Sequence, residues 1–329
     1  MVSMTYDQFM LLWRDDSDSV VCHTSGSTGE PKPIALTKRD MSVSARLTNT
    51  FFGINRSSVL SVPLPFDYIA ARMMAVRGDI AGCKVIAPVP SNSPEFFDGY
   101  DHIDLLAIVP SQVEALVAVK DVGKRVRNVI VGGAPLSEVR RHAIVKAGIS
   151  VYITYGMTET CSHIALADVC DDNSVFHAID KDTRFAVDTR GCLVAELPHL
   201  SIGRVVTNDV VSILSPTSFK WLGRADNVIN SAGLKIYPEQ VERELAESLP
   251  ASMPFYVIGV DDPAWGSAVA VVYEGTAEMA AAIEAAIAGI VDRHHRPRYI
   301  IPVRQISRTR SGKLIREYPS ENLGIIKIK

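Results

Sequence analysis

The sequence predicts an α/β protein in two parts: a large N-terminal domain with mixed and parallel sheets, flanking helices and a β region, and a small α+β C-terminal domain. Three observations predict it. Short β-branched runs alternate with helical patterns as far as Val131, short strands broken by turn residues fill Val175 to Phe219, and a compact helix–strand–strand–helix pattern follows Asp226. Alternation of the first kind builds βαβ units and a parallel sheet, and the second kind builds antiparallel pairs.

Taken in order, Val20-Val-Cys22 and Pro33-Ile-Ala-Leu-Thr37 are apolar runs on either side of the segment His23 to Lys32, which predicts a strand–loop–strand. Next come a strand at Ser58–Val62, a helix at Ile69–Ala81, strands at Lys84–Pro88 and Leu105–Val109, a helix at Ser111–Val119 and a strand at Asn128–Val131. Prolines 63, 65, 88, 90 and 110 fall at strand ends, where the missing N–H removes no ladder hydrogen bond. Gly191–Glu196, Gly203–Val206 and Val210–Ile213 supply the antiparallel region. The last piece reads as helix Pro238–Leu249, strands Phe255–Val260 and Ala268–Tyr273, and helix Thr276–Asp292. The expected division is 1–222 for the large domain, 223–226 for the link and 227–329 for the small domain.

A chain of 329 residues with 47% hydrophobic and 22% charged content has the composition of a globular protein rather than a disordered or coiled-coil one. The net charge of −3, without a long Lys/Arg run, gives no footprint for nucleic acid or anionic membrane. No apolar run reaches the ~18 residues of a membrane span, and the acidic N-terminus is unlike a signal peptide, so a cytoplasmic location is expected. Five cysteines without a C-x-x-C pair read as reduced thiols in the core or near a site.

The chemistry sits in six segments. Thr24, Ser25, Gly26, Ser27, Thr28 and Gly29 with Lys32 combine free backbone, hydroxyl donors and a cation, which suits a polyphosphate; the Gly-Lys-Ser/Thr ending of a Walker loop is absent. Tyr155-Gly-Met-Thr-Glu-Thr160 follows the strand-like Val151–Thr154 and sets Glu159 where a carboxylate holds Mg²⁺ against phosphate; a helix-starting turn with a solvated Glu explains it equally. Gly132-Gly-Ala134 offers a flat turn for a base, or a plain structural turn. Asp209, in Thr207-Asn-Asp209, is a ribose acceptor or a turn residue. Gly223 to Lys235 joins the two domains, and Arg308 to Lys313 is a basic loop with Lys313 after a glycine.

In order and spacing these segments resemble the acyl-adenylate-forming superfamily of acyl-CoA synthetases, peptide-synthetase adenylation domains and luciferases, over nearly the whole chain. The resemblance implies an acid–thiol ligase that uses ATP, Mg²⁺ and CoA on a small-molecule carboxylic acid. It implies that residues 25–32 cover the β- and γ-phosphates, Thr158 and Glu159 meet the α-phosphate and Mg²⁺, and Gly132, Gly133 and Ala134 with Tyr155 and Gly156 frame adenine. The resemblance also implies that Asp209 and Arg224 bind ribose and that Lys313 bridges carboxylate and α-phosphate. It further implies a mobile small domain that turns about Asp226 and presents Gly233 to the pantetheine arm of CoA, with Lys235 corresponding to a CoA-site basic residue that often meets phosphate.

Leu64 to Arg77, Val109-Pro-Ser-Gln-Val113 and Thr154 to His163 look most similar to o-succinylbenzoate–CoA ligases of menaquinone synthesis. That acid has one carboxylate to activate and one to recognise, and Arg72, Arg77, Ser162 and His163 are the candidates for the second, against a solvated helix face for the arginines and a satisfied loop histidine. Other aromatic or short-chain acids, or a carrier protein in place of CoA, remain alternatives. Thr24 has only 23 residues before it, where family members carry a long segment. The shortening predicts exposed apolar surface of the kind a homodimer covers. It also raises a second class, a nucleotide-binding regulator without catalysis, against which Lys32, Glu159, Asp209 and Lys313 stand together.

Overall fold

The computed structural model describes residues 3–23, 32–171, 175–250, 253–290, 292–308 and 314–328. Helix α1 (Tyr6–Trp13) opens on a reciprocal cap between Thr5 and Gln8. It packs on helix α3 (Ile69–Ala81), where Trp13 Nε1 and Arg14 both donate to Asp79. Strands β1 (Ser19–His23) and β2 (Pro33–Thr37) pair antiparallel, as their apolar runs predict. The loop between them lies outside the described residues, and with it Thr24, Ser25, Gly26, Ser27, Thr28 and Gly29. Helix α2 (Lys38–Phe52) starts where the Thr37 hydroxyl accepts from Asp40 N and stops at Gly53, whose φ of 67° suits a residue without Cβ.

Among the described residues eleven strands form one sheet. Its parallel half runs β4 (Lys84–Ile86), β3 (Val59–Ser61), β5 (Ile103–Ile108), β6 (Val126–Val131), β7 (Val151–Met157). Helices α3, α4 (Val113–Val117), α5 (Val122–Arg125) and α6 (Glu138–Ala147) fill the crossovers. β5 is apolar along most of its length because both faces are covered, as in other parallel sheets. From β7 the sheet turns antiparallel through β8 (Ser162–Asp168), β9 (Val175–Ala178), β13 (Ser218–Arg224), β12 (Gly203–Ser215), β11 (Cys192–Leu197) and β10 (Arg184–Val187). Phe176, Phe185 and Phe219 form the aromatic core of this half.

Past a 3-10 turn at Ala225–Asn227 the chain enters a second, six-stranded sheet. It contains β14 (Ile229–Ser231), β15 (Leu234–Ile236), β16 (Phe255–Asp262), β17 (Gly266–Glu274), β18 (Tyr299–Val303) and β19 (Ile326–Lys327). Helices α7 (Pro238–Ala246) and α8 (Ala280–Gly289) bury Val241, Leu245, Ile283 and Ile287 against it.

The sequence-predicted elements recur with shifted ends. The helix expected at Ser111–Val119 is a 3-10 turn at Pro110–Gln112 followed by five residues of α4, and that at Thr276–Asp292 is a 3-10 turn followed by α8. No helix among the described residues is long and apolar enough to cross a membrane. Cys22, Cys161 and Cys192 are buried, as expected, whereas Cys170 is exposed beyond the end of β8.

Candidate active site

Three expected site residues, Tyr155, Gly156 and Asp209, lie within strands. Tyr155 and Gly156 belong to β7 itself, because β8 continues to pair across them through a register shift. Only glycine fits there, since a Cβ on Gly156 would lie 2.1 Å from Ser162 O. Asp209 likewise lies inside β12, paired with Arg224 of β13. Thr207-Asn-Asp209 has the composition of a turn, and the ladder to β11 does shift register there, between the Val206–Val194 and Val210–Cys192 pairs, while Asp209 begins the pairing with β13.

The result is a polar hub. Asp209 accepts from Tyr155 OH at 2.7 Å and from Trp221 Nε1 at 3.3 Å, and Arg224 Nη1 stands 3.7 Å away. Burial, with the Asp209 carboxylate beside it, pushes the Tyr155 phenol well above its usual pKa, so it stays a proton donor. Arg224 also donates to Asp226 at 2.9 Å, tying the hub to the expected hinge. Sequence reasoning missed Trp221. Its signal, one aromatic residue in an alternating strand, does not differ from that of a core residue.

Beyond Gly156 the chain forms a 3-10 turn at Thr158–Thr160. The Thr160 hydroxyl accepts from Met157 N at 3.1 Å and donates to Ser162 O at 2.7 Å, which closes the turn. Thr158 is buried and Glu159 half-buried, and Glu159 has no ion pair among the described residues. β2 packs against this turn, so the strand following the exposed Lys32 meets the Thr-Glu-Thr segment. At the end of the neighbouring β6, a Cβ on Gly132 would lie 2.5 Å from Thr154 Oγ1, and Gly133 takes φ 87°. Gly133, Ala134 and Pro135 are exposed there.

Helix α3 brings two arginines inside. Arg72 has an acceptor for every nitrogen: Nε donates to Phe66 O at 2.6 Å, Nη1 to Val21 O at 2.7 Å and to Cys22 Sγ, and Nη2 to Met4 Sδ. Its donors tie β1 and the N-terminal segment to the chain before α3. Arg77 is 1% exposed and donates through Nη2 to Ser162 Oγ at 3.1 Å, while its Nε has no partner. No carboxylate faces it among the described residues, and burial brings its pKa down to about 9. His163 is also buried; Nδ1 lies 3.4 Å from Ser162 Oγ, and Nε2 lies 3.1 Å from Thr48 Oγ1 on α2. Burial, then the nearby Arg77, holds this imidazole well below its usual pKa and hence neutral.

Gly233 (φ 83°) and Lys235 are exposed on the β14–β15 hairpin of the smaller sheet. Lys313 lies outside the described residues, which resume at Leu314, paired with Arg308.

A family model described as AMP-binding enzyme matches residues 12–198, and one described as AMP-binding enzyme C-terminal domain matches residues 244–313. The chain belongs to the AMP-binding enzyme family. It is 26% identical over 294 residues to 2-succinylbenzoate–CoA ligase of Geobacillus sp., a match covering 79% of this chain and 59% of that protein. It is 28% identical over 337 residues to a probable 2-succinylbenzoate–CoA ligase of Mycobacterium tuberculosis, covering 93% and 86% of the two chains. The chain thus spans about three fifths of the Geobacillus relative. Among solved structures, an acyl-CoA synthetase (AMP-forming)/AMP-acid ligase II-like protein from Dyadobacter fermentans matches at 30% identity and TM-score 0.61, covering 93% of this chain and 90% of that one. The o-succinylbenzoate CoA synthetase of Bacillus subtilis, in complex with its acyl-adenylate intermediate, shares the fold at TM-score 0.77 and 20% identity, covering 90% and 67%.

Proposed function

We propose that this protein is an AMP-forming carboxylate–CoA ligase whose acid carries a second anionic group, with o-succinylbenzoate the first candidate. The observation that carries the reading is the meeting of Tyr155 of β7 and Arg224 of β13 at the Asp209 carboxylate of β12. A nucleoside fits that arrangement: the exposed Gly133–Pro135 turn gives a flat seat beside Tyr155, and Asp209 accepts ribose hydroxyls. Relatives whose names describe 2-succinylbenzoate–CoA ligases support the substrate class.

Mg²⁺ fits the chemistry of the turn, because Glu159 is one unpaired carboxylate and no cluster of three or more metal-binding side chains exists among the described residues. An ion held by one carboxylate needs phosphate oxygens and water for its other ligands, as Mg²⁺ prefers. When bound it neutralises phosphate charge during displacement.

In the first half-reaction an oxygen of the substrate carboxylate bonds to the α-phosphorus as the bond to the β-phosphate oxygen breaks and pyrophosphate leaves. Lys313, Lys32 and Thr158 are the proposed donors to the charge that builds there. In the second, the CoA sulfur bonds to the acyl carbon, AMP leaves, and the thiol proton passes to solvent. Rotation of residues 227–329 about Asp226, presenting Gly233 and Lys235, is the proposed link between the halves. Arg77, a buried cation without a carboxylate partner among the described residues, is the proposed receptor for the second anionic group, with Ser162 and His163 behind it.

An acid panel scored by ATP–pyrophosphate exchange and by thioester formation tests this reading. Exchange with o-succinylbenzoate above monocarboxylic acids is expected. Nucleotide binding without exchange on any acid would instead favour a non-catalytic regulator.

A further inference from the structure

The hydrogen bonds behind Arg77 have a direction. Thr48 Oγ1 lies 3.1 Å from Ser44 O, one helical turn earlier, and a carbonyl only accepts, so the hydroxyl proton of Thr48 is committed to it. Toward His163 Nε2, also at 3.1 Å, Thr48 therefore accepts, which makes His163 the Nε2–H tautomer. Nδ1 is then an acceptor and takes the proton of Ser162 Oγ, while Ser162 Oγ accepts from Arg77 Nη2. The chain runs Arg77 to Ser162 to His163 to Thr48 to Ser44 O, and every hydroxyl proton points away from the guanidinium.

The backbone supports this arrangement at a cost. Cys161 and Ser162 take φ 60° and 143°, both unfavourable for residues with a Cβ, next to the Gly156 bulge that lets β8 approach. Those two angles put Ser162 Oγ on Arg77 and send the His163 ring inward to α2. Thr48 is fully buried, and replacing its oxygen would leave the Nε2–H of a neutral imidazole without an acceptor.

We infer that Thr48 is a positioning residue for acid recognition: it fixes the His163 tautomer and, through Ser162, holds the Arg77 guanidinium with its remaining donors open to the substrate's second anionic group. Among the described residues the Thr48 hydroxyl meets Ser44 O and His163 Nε2, so it acts through His163. The inference rests on the ligase reading for its kinetic consequence, but the tautomer is a property of the unliganded protein.

The experiment therefore has two arms. In ¹⁵N-histidine NMR of the intact chain at neutral pH, His163, assigned by its loss in His163→Asn, is expected as a neutral ring protonated at Nε2. Thr48→Val should change that signature and Thr48→Ser should restore it. In pyrophosphate exchange, Thr48→Val should raise the KM for o-succinylbenzoate about tenfold, the size of one lost hydrogen bond, leave the KM for ATP unchanged, and be rescued by Thr48→Ser. An Nδ1–H ring in the wild type overturns the inference even if the ligase reading stands. So does a Thr48→Val defect that falls equally on acid and ATP. Absence of exchange on any acid removes the ligase reading while leaving the tautomer arm to be read by itself.

Discussion

Arg72 and Arg77 stand five residues apart on one helix, both nearly inaccessible, and the fold treats them in opposite ways. Arg72 spends every nitrogen on carbonyl and sulfur acceptors of β1, the α3 approach and the N-terminal segment. Neither faces a carboxylate among the described residues, but Arg77 has only one hydroxyl and an unpartnered Nε. The difference teaches that burial alone does not tell a structural cation from a receptor. What separates them is how many donors the protein itself satisfies. A guanidinium whose charge is unmatched by the protein is stable there only at a cost, and an anionic ligand removes that cost.

The largest expected effect breaks the first half of the comparison. Arg72→Met leaves the Val21 and Phe66 carbonyls without their donor, and we predict a stability loss of roughly 2–5 kcal/mol in urea unfolding. Arg77→Met should do the reverse. It removes an uncompensated buried charge, so stability holds or rises, while the KM for the acid climbs about 10- to 100-fold with the KM for ATP kept. Equal destabilisation by the two substitutions would erase the distinction.

A smaller effect belongs to the hub. Trp221→Phe keeps the ring and loses the bond to Asp209, and about a fivefold weaker ATP binding by calorimetry is expected, with acid recognition unchanged. The smallest is a slope. The folded-state pKa of His163 lies well below its usual 6.5, so as pH falls from 7 to 5 the unfolded chain takes a proton that the folded chain refuses. Its contribution to stability is full above about 6.5 and declines below. His163→Asn should flatten the fall in unfolding free energy across that window, and an unchanged slope would place the charge elsewhere.

The sequence made the βαβ alternation, the antiparallel middle and the small α+β end legible, because periodicity and proline placement are local signals. Lys38–Phe52 has no counterpart among the expected elements: its buried stripe mixes Met41, Ala45 and Phe52 with Asp40, Ser44, Thr48 and Asn49, and Asp40 accepts from Ser201 across the fold. Asp209 was identified as an acceptor but placed in a turn, since nothing local says that Arg224 pairs with it. Arg72 and Arg77 looked equivalent in the sequence. Their partners lie 6 to 85 residues away, and only the folded chain separates them. Thr48 carried no signal, for its partner His163 is 115 residues distant.

The central claim is that Arg77 reads a second anionic group on an acid the protein adenylates. Pyrophosphate exchange with o-succinylbenzoate and with 3-benzoylpropionate, which lacks the ring carboxyl, in the wild type and in Arg77→Met, tests it most directly. The account predicts that the wild type favours o-succinylbenzoate about tenfold or more and that Arg77→Met abolishes the preference. A preference of the same size in both proteins would contradict it.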